Sequence, residues 1–333
     1  MSAQVRAILL SQLLSILIAV TSTCAAILSS SSVYCPALLS CCTYLLLFVV
    51  YKFFVTDTSN EESSYEWWKY AILALMDVEA NYLVVMAFQK TSMTSVALLD
   101  QFSIPVAVIL TKVLGLATYK IGHGIGVCLC IGGLSLLIIS DSNGEAASHE
   151  HSLFGDCLVL IGASLYGAAN VLQESFLRDI HWKTLLGNLG LWGSLISGIQ
   201  FLALELKIVI SSHWSAILVA YIVGFALAMF IFYSTIPFVL QQGGSTLLNI
   251  GLLSSDLYIL LIRILLFEVT MTEVVIFAVS FGFVCSGIVL YSRTGNAKTA
   301  LHEGDEEHTV LYSPVAGQSA EADALEIHRV SSV

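Results

Sequence analysis

The sequence predicts an all-α polytopic membrane protein of ten transmembrane helices, and three observations predict it. Ten apolar stretches, each of about 20 residues as a membrane span requires, follow one another with short joins. Charged residues are 11% of the 333-residue chain and hydrophobic residues 57%, against roughly 25% charged in a soluble domain. Mean hydropathy is +0.87. Acidic and amide residues recur inside the apolar stretches, at Met76-Asp77-Val78-Glu79-Ala80-Asn81-Tyr82, Leu98-Leu99-Asp100-Gln101 and Ser254-Ser255-Asp256-Leu257-Tyr258. The composition excludes a soluble enzyme.

The spans lie near 7–28, 36–55, 67–89, 93–112, 121–140, 153–175, 184–204, 214–239, 245–266 and 272–292. The first, after Arg6, has a signal-peptide-like end at Thr23-Cys24-Ala25-Ala26. We read it as a retained helix, because only then does the count reach ten. Gln89-Lys90-Thr91 joins the third span to the fourth, Gly115, Gly122 and Gly124 mark turns or close packing, and Gln241-Gln242-Gly243-Gly244 joins the eighth to the ninth. Most of the eight cysteines lie in apolar runs, where a thiol is a small packing group; Cys35 alone is expected in an exposed loop. Residues 293–333 form an acidic tail that lacks helical periodicity and is expected to be disordered.

Ten spans divide as a first five-helix repeat over 1–140, a connecting loop over 141–152 and a second repeat over 153–292. Two repeats with an odd number of spans must insert in opposite orientation, the inverted-repeat plan of many secondary transporters. A shift of 151 residues lays Ser95-Val96 on Thr246-Leu247, Pro105 on Asp256 and Lys112 on Arg263, a weak match. Basic residues place both termini in the cytoplasm and the 141–152 loop outside it. Nine of them, among them Arg6, Lys69, Lys112, Lys183 and Arg293, then fall inside, and Lys90, Lys207 and Arg263 outside.

A carboxylate in hydrocarbon costs about 2.5–3.5 kcal/mol on insertion scales, so intramembrane acids mark a bundle interior or a wet cavity. In the third span Asp77 and Asn81 share one face, and Glu79, Tyr82 and Met86 another. Asp77 could belong to an interhelical hydrogen-bond network or to a cavity wall, whereas Glu79 and Tyr82 stand at mid-span. In the fourth, Pro105 removes the hydrogen bond that the Gln101 carbonyl would accept, which would group Asp100, that carbonyl and the Gln101 amide; a packed proline kink is the plainer reading. In the sixth, Gly162, Tyr166, Asn170 and Gln173 make one stripe, suited to close packing or to stacking on a flat solute. In the ninth, Ser245, Asn249, Leu252, Asp256 and Arg263 share a stripe, with Tyr258 on another face. The expected substrate-binding set is Glu79, Tyr82, Asp100, Gln101, Tyr166, Asn170, Asn249, Asp256 and Tyr258. Glu79 and Asp100 are the candidates for proton coupling, and Pro105, Pro237 and Arg263 for gating or hinging.

Chemical motifs fail on inspection. No P-loop, HExxH or CxxC pair occurs, and Leu153-Phe154-Gly155-Asp156 lacks the first glycine of an intramembrane protease motif. His149-Glu150-His151 is too sparse for a metal site. No catalytic residue, metal, cofactor or nucleic-acid partner is expected. Tyr312-Ser313-Pro314-Val315 has the form of a sorting signal that an adaptor could read.

These residues carry a resemblance. Trp67-Trp68-Lys69-Tyr70 followed by Asp77-Val78-Glu79-Ala80-Asn81-Tyr82 resembles the third span of the F-type subgroup of solute carrier family 35, in the EamA-like drug/metabolite transporter superfamily. Thr94-Ser95-Val96 with Leu98-Leu99-Asp100 and Ile104-Pro105 resembles its fourth span. Gly162-Ala163-Ser164-Leu165-Tyr166 with Asn170-Val171 resembles the sixth, and Asp256-Leu257-Tyr258 the ninth. The resemblance covers about 7–292 and implies two inverted five-helix halves around a central cavity, with transport by alternating access. It also implies, as one substrate class, a nucleobase-like micronutrient such as queuine.

The leading expectation is a secondary-active or facilitative transporter of a small organic solute, nucleobase-like or cationic. A nucleotide-sugar exchanger of the Golgi or endoplasmic reticulum is the runner-up; phosphates need fixed positive charge, and here the basic residues lie at span ends. A non-transporting membrane scaffold that uses the tail is a third reading. The plasma membrane and endosomal or Golgi membranes all fit.

Overall fold

The computed structural model describes residues 3–30, 35–54, 66–87, 90, 96, 99–145, 153–212, 214–255, 257–258 and 271–294. Among them the chain forms nine helical runs: α1 (Ala3–Ser30), α2 (Pro36–Phe54, π-helical from Val50), α3 (Trp67–Ala87), α4 (Ser103–Val113), α5 (Ile121–Glu145), α6 (Leu153–Asp179), α7 (Trp182–Ser211, with a π-helical turn at Phe201–Glu205), α8 (Ala216–Leu252) and α9 (Met271–Arg293). Six of these, α1, α2, α3, α6, α7 and α8, contain stretches long and apolar enough to cross a membrane. All are helices because in hydrocarbon each backbone N–H and C=O must be satisfied within its own segment.

Among the described residues the expected ten helices become nine, because the expected loop at Gln241–Gly244 is not a loop. The helix runs on through it and breaks only at Gly244, where φ is +78° and ψ 169°. A side chain is strained in that conformation and glycine is not. The eighth span and the start of the ninth, as far as Leu252, are thus two segments of α8. Helix α5 also continues to Glu145, beyond the expected limit at 140.

Apolar side chains face outward and polar ones inward. Ile121 is 84% exposed, Leu153 82% and Ile210 75%, while Asp77, Gln101, Gln173, Glu174 and Glu205 are buried. In water this distribution would be costly; in lipid it is the favourable one.

Glycine lets the helices approach. Tyr44 and Phe48 of α2 lie over Gly193 and Gly190 of α7, and Gly126 of α5 meets Gly287 of α9. Gly167 of α6 meets Ser103 at the start of α4, and Gly251 of α8 meets Ser11 of α1. The largest apolar cluster joins α1, α2, α3, α6, α7 and α8 through Leu14, Leu47, Leu73, Phe176, Leu189 and Leu240. The end of the bundle where α1 finishes, with Leu28 against Leu39 and Leu218, is the distal end. At the opposite, proximal end, Ala7 packs with Leu247, Ile288 and Tyr291.

Candidate functional site

Three helices meet at Asp77. The phenol oxygens of Tyr44 on α2 and Tyr233 on α8 each lie 2.6 Å from Asp77 Oδ2 on α3, within hydrogen-bond length, and 2.9 Å from each other. Asp77 is 4% exposed, Tyr44 1% and Tyr233 3%. Pro237, one turn beyond Tyr233, cannot donate the backbone bond that the Tyr233 carbonyl would accept. The helix is therefore loosened where it presents this phenol. Of the two expectations for Asp77, the interhelical network is the one observed.

Tyr166 of α6 extends this polar core, within electrostatic reach of both Asp77 and Asp100. Asp100 lies in a helical turn before α4, and its Oδ1 is buried without a hydrogen-bond partner among the described residues. The expected free carbonyl at Gln101 is not found. The chain tightens, and the N–H of Ile104 donates to Gln101 O at 3.0 Å, supplying what Pro105 withholds. The Gln101 side chain is buried nearby. On α6 the Gln173 amide is also buried, with neither polar atom partnered among the described residues.

Toward the distal end, Glu79 accepts a hydrogen bond from Gln200 Nε2 of α7 at 2.7 Å. Gln200 also lines a cleft of about 80 Å³, together with Asn81, Tyr82, Cys35, Ser40 and Phe225. Asn81 is held there by donating to the carbonyl of Asp77, one turn back, at 2.9 Å. Sites for drug-sized solutes measure roughly 300–1,000 Å³, so this conformation admits little more than water. Glu205, in the π-helical turn of α7, accepts from the backbone N–H groups of Ala37 at 2.8 Å and Leu38 at 2.9 Å. It satisfies two of the orphan donors that open α2. Cys35, expected in an exposed loop, is instead buried at this junction, and burial followed by the Glu205 carboxylate pushes its thiol up to about 11.

The proximal end is knit shut. Tyr119 bridges Thr111 of α4 and Thr246 of α8, at 2.6 Å to each. Glu174 of α6 accepts the N–H of Ser245 at 2.7 Å, just after the Gly244 break. Asn170 donates to Asn249 at 3.1 Å, and Asn249 to the Ser245 carbonyl at 2.8 Å. Asn170 and Asn249, expected to bind substrate, thus satisfy each other here. Tyr258 donates to Gln12 of α1 at 3.0 Å.

The structure brings together Tyr166 and Asp100, and places Tyr82 on the cleft with Glu79 one hydrogen bond from it. Asp256 and Arg263 lie outside the described residues, as do His149-Glu150-His151 and the tail with Tyr312–Val315. The expected substrate-binding set left out Tyr44, Tyr233, Gln200, Glu205, Glu174 and Tyr119. Tyr44 and Tyr233 sit in apolar runs, where tyrosine reads as packing; an OH among aliphatic residues, which usually needs a partner when buried, was the available signal.

Buried carboxylates, helix breaks and a narrow cleft inside a lipid-facing bundle are features that a membrane transporter would have. A family model for Solute carrier family 35, of the F type, matches residues 2–293. The chain is 39% identical over 297 residues to solute carrier family 35 member F2 of Mus musculus, covering 87% of this chain and 79% of that one. It is 37% identical over 265 residues to an uncharacterised solute carrier family 35 member of Schizosaccharomyces pombe, covering 78% and 52%. A crystal structure superimposes with a TM-score of 0.67 at 16% identity, covering 86% of this chain and 96% of the other, a likeness of fold alone. The chain belongs to the F subgroup of solute carrier family 35. It is a multi-pass membrane transporter of a small molecule, not an enzyme.

Proposed function

We propose that the chain moves a small, flat organic solute, cationic or rich in hydrogen-bond donors, by alternating access between two five-helix halves. The halves are α1–α5 and α6–α9, with α8 supplying the eighth span and the start of the ninth. Reciprocal packing supports this division: Gly167 of the sixth span on Ser103 of the fourth mirrors Gly251 of the ninth on Ser11 of the first. Two further close pairs, α2 with α7 and α5 with α9, are each their own counterpart. Cytoplasmic termini follow from the basic residues at span ends.

The observation that carries the solute class is the acidic polar core. Glu79 and Asp100 lie inside the bundle, no ion pair is found there among the described residues, and Tyr82, Tyr166 and Tyr258 offer ring faces. Such a core attracts cations and donors and repels phosphate. A nucleobase-like solute of the queuine class meets these demands, and a nucleotide sugar does not. In this conformation the proximal end is closed and the distal cleft is narrow, so binding requires the distal walls to part. Uptake of radiolabelled nucleobases, cationic amines and nucleotide sugars into proteoliposomes tests the reading. It expects saturable uptake from the first two groups, reduced at least tenfold by Glu79→Gln or Asp100→Asn. Uptake of nucleotide sugars alone would sink it.

A further inference from the structure

The hydrogens at Asp77 can be counted. Three oxygens form a closed triangle with sides of 2.6, 2.6 and 2.9 Å. Each side is within hydrogen-bond length, and each needs one hydrogen. The two phenols supply two. If Asp77 were ionised, both phenol protons would point at Oδ2 and none would remain for the contact between Tyr44 and Tyr233. Two donors following separate lone pairs of one oxygen, roughly 120° apart, would also stand about 4.5 Å from each other. They stand at 2.9 Å, an angle of roughly 70° at Oδ2.

A third hydrogen removes both conflicts. With Asp77 protonated, Asp77 O–H donates to one phenol, that phenol to the other, and the second back to Oδ2, so every side of the triangle is filled. The surroundings agree. Among the described residues no basic side chain pairs with the carboxyl, though a buried carboxylate anion calls for one. The titratable groups around it are Tyr44 from α2, Tyr233 from α8 and Tyr166 from α6, with Asp100 beyond Tyr166. Glu79 and Glu205 stand further along, within electrostatic reach of Tyr82. None of these carries a positive charge that would hold Asp77 ionised.

We infer that Asp77 is a proton-binding site of this transporter, and that it is occupied in the present conformation. The proton closes a ring that ties α2 and α3 to α8, the helix that carries Pro237 and the Gly244 break. Loss of the proton to water leaves two hydrogens for three contacts and favours separation of α8 from α2. Proton release and helix movement are then one event. This rests on the transport reading for its purpose, but the protonated carboxyl can be observed without any solute.

The test is infrared difference spectroscopy of the purified full-length protein at neutral pH, in H₂O and D₂O, comparing wild type with Asp77→Asn. A protonated-carboxyl C=O band that is present in the wild type, shifts in D₂O and is missing in Asp77→Asn is the expected result. Tyr233→Phe, which keeps the acid and opens the ring, should move the frequency of the same band. A band that persists in Asp77→Asn, or its absence from the wild type, overturns the inference. If Asp77→Asn fails to fold, the Tyr233→Phe spectrum decides alone: a band at the wild-type frequency rejects the ring. If the band behaves as expected and no solute is ever taken up, the proton site stands and the transport reading falls.

Discussion

Gly193 lies directly beneath the ring of Tyr44: a β-carbon there would stand 2.6 Å from the ring atoms Cγ and Cδ1. The phenol that closes the Asp77 triangle is therefore positioned by a residue with no side chain, on a helix that contributes nothing else to that triangle. Gly193→Ala should press on Tyr44 and destabilise the protein by about 1–3 kcal/mol, the usual cost of overpacking. Thermal unfolding in detergent reads the loss, and a Tyr44→Phe background should not relieve it, since the clash is with the ring and not the OH.

Glu205 holds the start of α2 with two charge-assisted hydrogen bonds. Bonds to charged groups are worth about 1.5–3 kcal/mol each. Glu205→Ala leaves two buried donors unmet and should lower stability by roughly that amount for at least one bond. Glu205→Gln, which keeps one acceptor, should cost less. Thermal unfolding of the two variants gives the order.

Cys35 reports on the same junction from outside the span. With its thiol pushed up to about 11 by burial and by Glu205, little thiolate exists at neutral pH. Removing the negative charge lowers the thiol pKa and raises the thiolate fraction. Glu205→Gln should therefore speed alkylation of Cys35 at pH 7, measured by mass spectrometry of the labelled peptide. An unchanged rate would mean that Glu205 does not act on Cys35 electrostatically.

Tyr119 fastens α4 to α8 at the proximal end. Tyr119→Phe removes bonds to Thr111 and Thr246, together about 1–3 kcal/mol, which corresponds to roughly a five- to 150-fold change in an opening equilibrium. Hydrogen exchange at 245–252 should accelerate accordingly, while exchange at the distal start of α2 stays near wild type.

Most of the architecture was legible because membrane helices announce themselves by length and apolarity, and inward acids by their expense. Asp77, Glu79 and Asp100 stand out for that reason. The join at Gln241–Gly244 misled: four polar and small residues read as a loop, yet a single positive-φ glycine sufficed to break the helix without ending it. Pro105 misled in the same way, because a freed carbonyl can be recaptured by one tighter turn. Residue pairs far apart in the chain were beyond the reach of helical-face arguments. Asn170 with Asn249, Glu79 with Gln200, and Tyr44 with Tyr233 become partners only once the helices are packed.

The most direct test of the account is ligand-induced thermal stabilisation of the purified protein across nucleobases, nucleosides, cationic amines and nucleotide sugars, repeated with Asp100→Asn. The acidic-core transporter predicts a nucleobase or amine that raises the melting temperature of the wild type and not of the variant. Stabilisation by nucleotide sugars alone, or equal stabilisation of wild type and Asp100→Asn by every compound that binds, would contradict it.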